Sequence, residues 1–243
     1  GAGGKVALTD SPLISVVIPC YNEGKILKDT LSRLKAAAEG FPGQTELIVV
    51  DDGSADDTAK LAKQAGATVV SYGQNRGKGF ALRAGAAASK GDLLLLTDAD
   101  LAYGTDALRE ACLLLRSSGA DLVCGSRRLS AGSDKGYPPL RKLASRGFAV
   151  FQKTVLGLPM SDTQCGLKAM KGEVGRALFS SCTVNDFACD MEFLALAVRR
   201  GCRWIELPVQ LQTHGASSVH LLRDSLRMAG QTLRIRRRLK KSE

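Results

Sequence analysis

The sequence predicts a single α/β domain built on a mostly parallel sheet covered by helices on both faces. Apolar runs of strand length recur through the first half of the chain: ISVVIPC (14–20), ELIVVDD (46–52), ATVVSY (67–72), DLLLLTD (92–98) and ADLVCGS (120–126). Stretches with helical spacing separate them, and strands that are apolar on both faces belong to parallel sheets sandwiched between helices. No Pro- or Ser-rich linker interrupts this alternation. The 243 residues therefore read as one domain with ample length to bury a core.

The elements follow in order. GKILKDTLSRLKAAAEG (24–40) is an amphipathic helix stopped by Gly40. A short helix is predicted near 57–65, with Asp56 or Asp57 as its N-cap, and another over KGFALRAGAAASKG (78–91). A fourth helix is predicted at about 105–118. The pattern changes after Ser126. RRLSAGSDKGYPP (127–139) is rich in Gly, Pro and Ser and reads as a loop, and LRKLASRGFAVFQKTVLG (140–157) as a helix. QCGLKAM (164–170) suits a short strand, DMEFLALAVRRG (190–201) a helix stopped by Gly, and RWIELPV (203–209) a strand ended by Pro208. Residues 221–240 form the last helix. Residues 1–12 are expected to be a flexible N-terminus, 13–220 the catalytic domain and 221–243 a basic amphipathic C-terminal helix.

Charge is unevenly spread. Of the net +10, residues 221–243 contribute +6, from eight Arg and Lys against two acids, and six of the eight lie in 234–241. Such a tail favours an anionic partner or is a solvated helix. A nucleic-acid-binding module is disfavoured, because aromatics make up only 5% and no basic-aromatic interleaving provides base stacking. Seven cysteines without a CxxC pair or zinc spacing point to a reducing compartment and buried thiols. No run approaches the ~20 apolar residues that span a bilayer.

Ligands of open parallel sheets bind beyond the carboxyl ends of the strands. Here those ends read Pro19-Cys20-Tyr21-Asn22-Glu23, Asp51-Asp52-Gly53-Ser54 and Asp98-Ala99-Asp100. Asp98 and Asp100, at i and i+2 on an extended chain, would project to one side and suit Mg²⁺ or Mn²⁺ together with substrate phosphates. The alternative is that Asp98 caps the next helix and Asp100 is merely exposed. Asp51 and Asp52 have turn chemistry as their plain role, or one of them accepts from a base N–H or ribose hydroxyl. GQNRGKGF (73–80) completes neither a dinucleotide fingerprint nor a P-loop, yet Lys78 near a helix start suits a phosphate. Arg127 and Arg128 follow a strand end. Arg141, Ser145 and Arg146 fall at i, i+4 and i+5 of the next helix, where arginines suit a second phosphate.

SVVIPCYNE (15–23), ELIVVDDGSADDT (46–58), NRGKGFALRAG (75–85), DLLLLTDADL (92–101), GSR (125–127), RKLASRG (141–147), SDTQCGLKAM (161–170), FACDMEFLALAVRRG (187–201), ELPV (206–209) and DSLRM (224–228) occur in this order. Together they resemble the family 2 glycosyltransferases of the Rossmann-like GT-A fold, and within them the polyprenyl-phosphate (dolichyl-phosphate) glucosyl- and mannosyltransferases. DTQCGLK and DSLRM look closer to the glucosyl branch. The resemblance implies an inverting, metal-dependent transfer of a hexose from a nucleotide sugar, UDP-glucose favoured and GDP-mannose possible, to a polyprenyl phosphate. It implies that Pro19, Tyr21, Glu23, Asp51, Asp52, Lys78, Asp98 and Ala99 line the nucleotide pocket, and that Asp98 and Asp100 hold Mg²⁺ or Mn²⁺. Arg127, Arg141, Ser145 and Arg146 would meet the acceptor phosphate, with Arg127 also catalytic, and Gln164, Asp190 and Glu192 the sugar.

Two features depart from that family. Its phosphate-acceptor members often carry Gly-x-Ser-Lys before the last helix, where this chain has Gly215-Ala216-Ser217-Ser218, and many continue into transmembrane helices. Leu222, Leu226, Ala229 and Leu233 form a stripe flanked by arginines, fit either for an anionic membrane surface or for packing on the core. The resulting expectation is a cytoplasmic protein, peripheral at the cytoplasmic face of a membrane. If the acceptor were instead a soluble hydroxyl compound, Asp190 would act as general base.

Overall fold

A computed structural model describes residues 11–130, 147, 150–212 and 221–241. In chain order, β1 (Leu13–Cys20) leads to α1 (Gly24–Ala38), β2 (Gln44–Asp51) to α2 (Thr58–Gln64), and β3 (Thr68–Ser71) to α3 (Lys78–Ala88). Then come β4 (Leu93–Leu96), α4 (Gly104–Ser118) and β5 (Leu122–Ser126), which runs into a single 3₁₀ turn at Arg127–Leu129. Helix α5 is described over 150–156. It is followed by β6 (Lys168–Lys171), α6 (Gly172–Ser181), α7 (Cys189–Arg199), β7 (Trp204–Pro208) and α8 (Leu221–Lys241).

The strands form one seven-stranded sheet in the order β3-β2-β1-β4-β6-β5-β7. β6 alone in this sheet is antiparallel, to both β4 and β5; the other pairings are parallel. The chain steps outward from β1 to β2 and β3, then returns to place β4 on the far side of β1. That reversal opens a crevice at the carboxyl ends of β1 and β4, the usual ligand position in such sheets.

Alternation across the pleat divides the four leucines of β4 between two cores. Leu93 and Leu95 join Leu27, Leu31 and Leu34 of α1 and Leu108 and Leu115 of α4. Leu94 and Leu96 join Leu82 of α3, Leu178 and Phe179 of α6, and Phe193 and Leu194 of α7. Each fully buried leucine contributes about 1.5–3 kcal/mol of transfer free energy, so β4 cannot slip its register. Phe179 stacks on Phe193 with ring centroids 4.6 Å apart.

Strand β4 ends two residues earlier than the sequence pattern suggests, and α6 occupies a stretch where no helix was predicted. Gly172 and Gly175 lower the helix propensity of α6, yet its packing needs them small. A Cβ on Gly175 would lie 2.7 Å from side-chain atoms of both Leu94 and Met170, so tertiary contact overrides propensity. The last helix packs on the body through Thr232, Ile235 and Leu239, all buried, while Leu233 of the predicted stripe is exposed. The side chains of Leu222 and Leu226, and residues 215–218, lie outside the described residues. All seven cysteines are free and six are buried, as predicted. Among the described residues no helix is long and apolar enough to cross a membrane.

Candidate active site

The β1–α1 and β2–α2 loops are laced together. Asn22, held at φ +57, donates its N–H to the Ser54 hydroxyl oxygen (2.9 Å), and its own Oδ1 accepts from the Ala55 N–H (2.8 Å). Thr58 accepts from the Glu23 N–H and Asp56 from the Gly24 N–H. Asp51 is occupied structurally, accepting from the Ser54 N–H of its own turn (3.1 Å) and the Ser71 hydroxyl of β3 (2.7 Å). Asp52, also buried, grips the next loop by accepting from the Arg76 and Gly77 N–H groups at 2.8 and 2.9 Å. Gly77 sits at φ +93, where a Cβ would strike the Asn185 carbonyl at 2.3 Å, so glycine alone lets this loop close against the 182–188 segment. The bracing sets Lys78 at the start of α3. Tyr21 is half exposed, Pro19 is partly buried and Ala99 is buried.

Lys78 Nζ lies 2.5 Å from Asp98 Oδ1. Burial alone would raise the Asp98 carboxyl, but Lys78, helped by Lys168 and Arg127, outweighs it and holds the group below its ordinary range. Asp98 and Asp100 lie in a turn beyond β4 and not on a pleated strand. The Leu101 N–H bonds to the Asp98 carbonyl (3.1 Å), Leu101 takes φ +48, and Asp100 Oδ1 accepts from the Ala102 N–H (3.1 Å). Asp98 does not cap α4, whose N-cap is Tyr103. The remaining oxygens of Asp98 and Asp100 carry no hydrogen bond among the described residues. Burial, then Asp100, Asp56 and Asp98, push the Glu23 carboxyl up, so the crevice holds surplus negative charge. Two hard oxygen donors facing that surplus fit a divalent cation. Among the described residues no three acidic, His or Cys side chains are grouped to hold an ion unaided, so substrate oxygens would complete the shell.

A second ion pair lies behind the first. Lys168 of β6, 2% exposed, donates to Asp190 Oδ1 and to the Cys165 carbonyl, both at 2.6 Å. Sequence reasoning missed Lys168; the signal was a lysine inside the apolar run GLKAM. Glu192, two residues past Asp190 and so on another face of α7, is turned away. It accepts from the Thr183 and Val184 N–H groups at 2.8 Å and pairs with Arg238 of α8. Gln164 points its amide toward Met228 Sδ of α8 (3.7 Å). Arg141, Ser145 and Arg146 lie outside the described residues.

Arg127 is bound to Asp162, with Nε and Nη2 at 2.7 and 3.1 Å from its two oxygens. Burial would raise the Asp162 carboxyl, but the Arg127 bonds bring it below its usual 3.8. A folded-state value below the unfolded one adds stability above the unfolded value, lost as pH falls through the folded one. The stability gap between wild type and Asp162→Asn in denaturant melts should therefore be full at pH 7 and shrink steadily below about pH 4. A gap independent of pH would contradict this.

The family 2 glycosyl transferase model matches residues 15–179, from β1 through α6. The chain belongs to glycosyl transferase family 2. It is 34% identical over 221 residues to a dolichyl-phosphate beta-glucosyltransferase of Trichomonas vaginalis, an alignment covering 84% of this chain and 65% of that protein. To a dolichyl-phosphate beta-glucosyltransferase of Dictyostelium discoideum it is 31% identical, over 93% of this chain and 75% of the relative. The chain thus spans about two thirds to three quarters of these relatives. Among solved structures, glucosyl-3-phosphoglycerate synthase of Mycobacterium tuberculosis, crystallised with Mn²⁺, UDP-glucose and phosphoglyceric acid, superposes with a TM-score of 0.66 at 24% identity, covering 93% of this chain and 79% of that one. That likeness establishes the GT-A fold.

Proposed function

We propose that this family 2 glycosyltransferase moves a hexose from a nucleoside-diphosphate sugar, UDP-glucose first, to a polyprenyl phosphate of the dolichyl type. The observation that carries the reading is the pairing of Asp98 with Lys78 at the switch point of the sheet, with Asp100 in the turn that follows. The dolichyl-phosphate beta-glucosyltransferases to which the chain is similar support the acceptor. A phosphate oxygen of the acceptor attacks the anomeric carbon from the side opposite the leaving group. The bond from that carbon to the nucleoside diphosphate breaks, and the diphosphate leaves with the electron pair. A single back-side displacement inverts the centre, so an α-linked donor gives a β-linked lipid phosphosugar.

Each residue has a part in that step. Asp98 and Asp100 would hold Mg²⁺ or Mn²⁺, which when bound offsets the charge growing on the diphosphate. Lys78 leaves Asp98 to meet a donor phosphate, and Asp52 keeps its loop in place. Tyr21 and Glu23 flank the nucleotide. The acceptor phosphate is already anionic and needs no general base, so Asp190 orients sugar hydroxyls; Lys168 on its Oδ1 weighs against a base role with a hydroxyl acceptor. Arg141, Ser145 and Arg146 are assigned to the acceptor phosphate. On α8, exposed Leu233 with Arg234, Arg236, Arg237, Lys240 and Lys241 suits an anionic membrane surface, where the acceptor resides.

The test is a panel of nucleotide sugars offered with a short polyprenyl phosphate and Mn²⁺ or Mg²⁺. Labelled sugar should enter the organic phase, and Arg141→Ala with Arg146→Ala should slow its transfer. Label that stays aqueous would indicate a hydroxyl acceptor, and salt-sensitive RNA binding without turnover would indicate a different class of protein.

A further inference from the structure

Lys168 is 2% exposed inside the sheet, and nothing in a packed core requires its charge. It stands on the antiparallel strand, opposite Leu96 of β4 and Cys124 of β5, so its stem starts beside β4, one of the two strands that end at the crevice. Its ammonium reaches Asp190 Oδ1 and the Cys165 carbonyl, both at 2.6 Å. Replacing such a buried pair by apolar residues of similar volume is often neutral or stabilising, so stability alone is a poor reason for it. Asp190 is also buried, while its other oxygen carries no hydrogen bond among the described residues.

The groups facing Asp190 are Lys168 from β6, Lys78 from α3, Cys124 from β5 and Cys189 from its own helix. Burial pushes the Cys124 thiol up to about 12 and the Cys189 thiol well above its ordinary value, so both are neutral at physiological pH. The charges that remain alternate. Asp98 and Asp190 each have a lysine in contact, and each lysine also feels or stabilises the other pair: Lys168 helps to lower Asp98, and Asp190 helps to raise Lys78. Of the two lysines, Lys78 is the more exposed, at 19% of its side chain, and is placed to exchange its partner for a phosphate. Lys168 is not.

We propose that Lys168 is a positioning residue, locking one oxygen of Asp190 inward so that the other is presented to the hydroxyls of the sugar being transferred. This rests on the glycosyltransferase reading above. While Lys78 exchanges partners, Lys168 keeps the rear of the site fixed, and a carboxylate held on one side has one orientation for the sugar and not several.

The test compares wild type, Lys168→Met, Asp190→Asn and the double variant, using the nucleotide sugar and polyprenyl phosphate that wild type turns over. Lys168→Met should lower kcat about 10²-fold, the scale of a misplaced catalytic contact, with donor KM nearly unchanged. Asp190→Asn, which retains an acceptor for Lys168 and so keeps the fold, should lose a similar factor. The double variant should be no worse than Asp190→Asn alone. A purely structural lysine would instead lower the melting temperature, raise KM and kcat effects together, and multiply with the Asp190 loss. Losses that multiply, a full-rate Lys168→Met, or a full-rate Asp190→Asn should Lys168→Met not fold, would each overturn the assignment while wild-type turnover left the glycosyltransferase reading intact. If wild type turned over no nucleotide sugar, that reading would fail and this one with it.

Discussion

Asp98→Ala and Asp98→Asn should each cut turnover by about 10³-fold or more, the cost of removing one electrostatic contact aimed at developing charge plus the metal it helps to hold. Asp98 is where three influences meet: the Lys78 ammonium at 2.5 Å, the field of Lys168 and Arg127, and the surplus negative charge shared with Glu23 and Asp100. Because Lys78 overcomes burial and keeps the carboxyl ionised, Asn removes a full charge at nearly constant volume. Asn and Ala should therefore fail to a similar degree, which separates charge from size. Donor binding measured by calorimetry should lose its dependence on Mn²⁺ in both. The fold should survive, since Lys78 is partly open to solvent and can recover a water in place of its partner. A Asp98→Asn enzyme within tenfold of wild type, or one whose donor affinity still rose with Mn²⁺, would remove Asp98 from the metal site.

The sheet was legible because its strands are apolar on both faces, and that pattern survives without any tertiary knowledge. DLLLLTD illustrates both the strength and the limit of such reading. Four leucines do form a central strand, but the two aspartates follow it in a turn through Leu101 and not in an extended i, i+2 relation. Period-two arithmetic put the aspartates on a strand that ends before them, since a strand's last residue is set by hydrogen bonding that side-chain pattern does not encode. Helix α6 was hidden because Gly172 and Gly175 weaken its periodic signal, while the contacts that make them necessary come from Gly91 and Leu94, far away in sequence, and from Met170 of the strand before it. Asp190 and Glu192 were both expected to meet the sugar, yet helical geometry sends them to different partners, Lys168 and Arg238. Lys168 itself was passed over because a lysine in a short apolar run reads as an edge residue until its buried partner is seen. Likewise Arg127 reads as a free phosphate ligand until Asp162 is found bound to it, 35 residues away.

Gly166→Ala should abolish most of the activity while leaving the fold nearly untouched. Gly166 does not occupy the left-handed region, so alanine suits its backbone, and a Gly→Ala change at such a position gains about 0.4–1 kcal/mol by restricting the unfolded chain. The added Cβ would fall 2.1 Å from Asp98 Oδ2 and 2.9 Å from its Cγ. The collision is with the movable end of a side chain, and the carboxylate can escape by rotating, so little stability is lost. Rotation nevertheless takes Asp98 out of line with both Lys78 and Asp100, and displacement of a catalytic group by about 1 Å costs on the order of 10²-fold. The contrast is Gly79→Ala, whose Cβ would meet the Val184 carbonyl at 2.2 Å and the Cys189 Cβ at 2.6 Å. There backbone must move, so Gly79→Ala should lower the melting temperature first and activity only as a consequence. Paired melting curves and initial rates for the two variants decide the matter. A Gly166→Ala protein with wild-type kcat, or one that melts as early as Gly79→Ala, would mean that the glycine of CGLK serves packing and not the placement of Asp98.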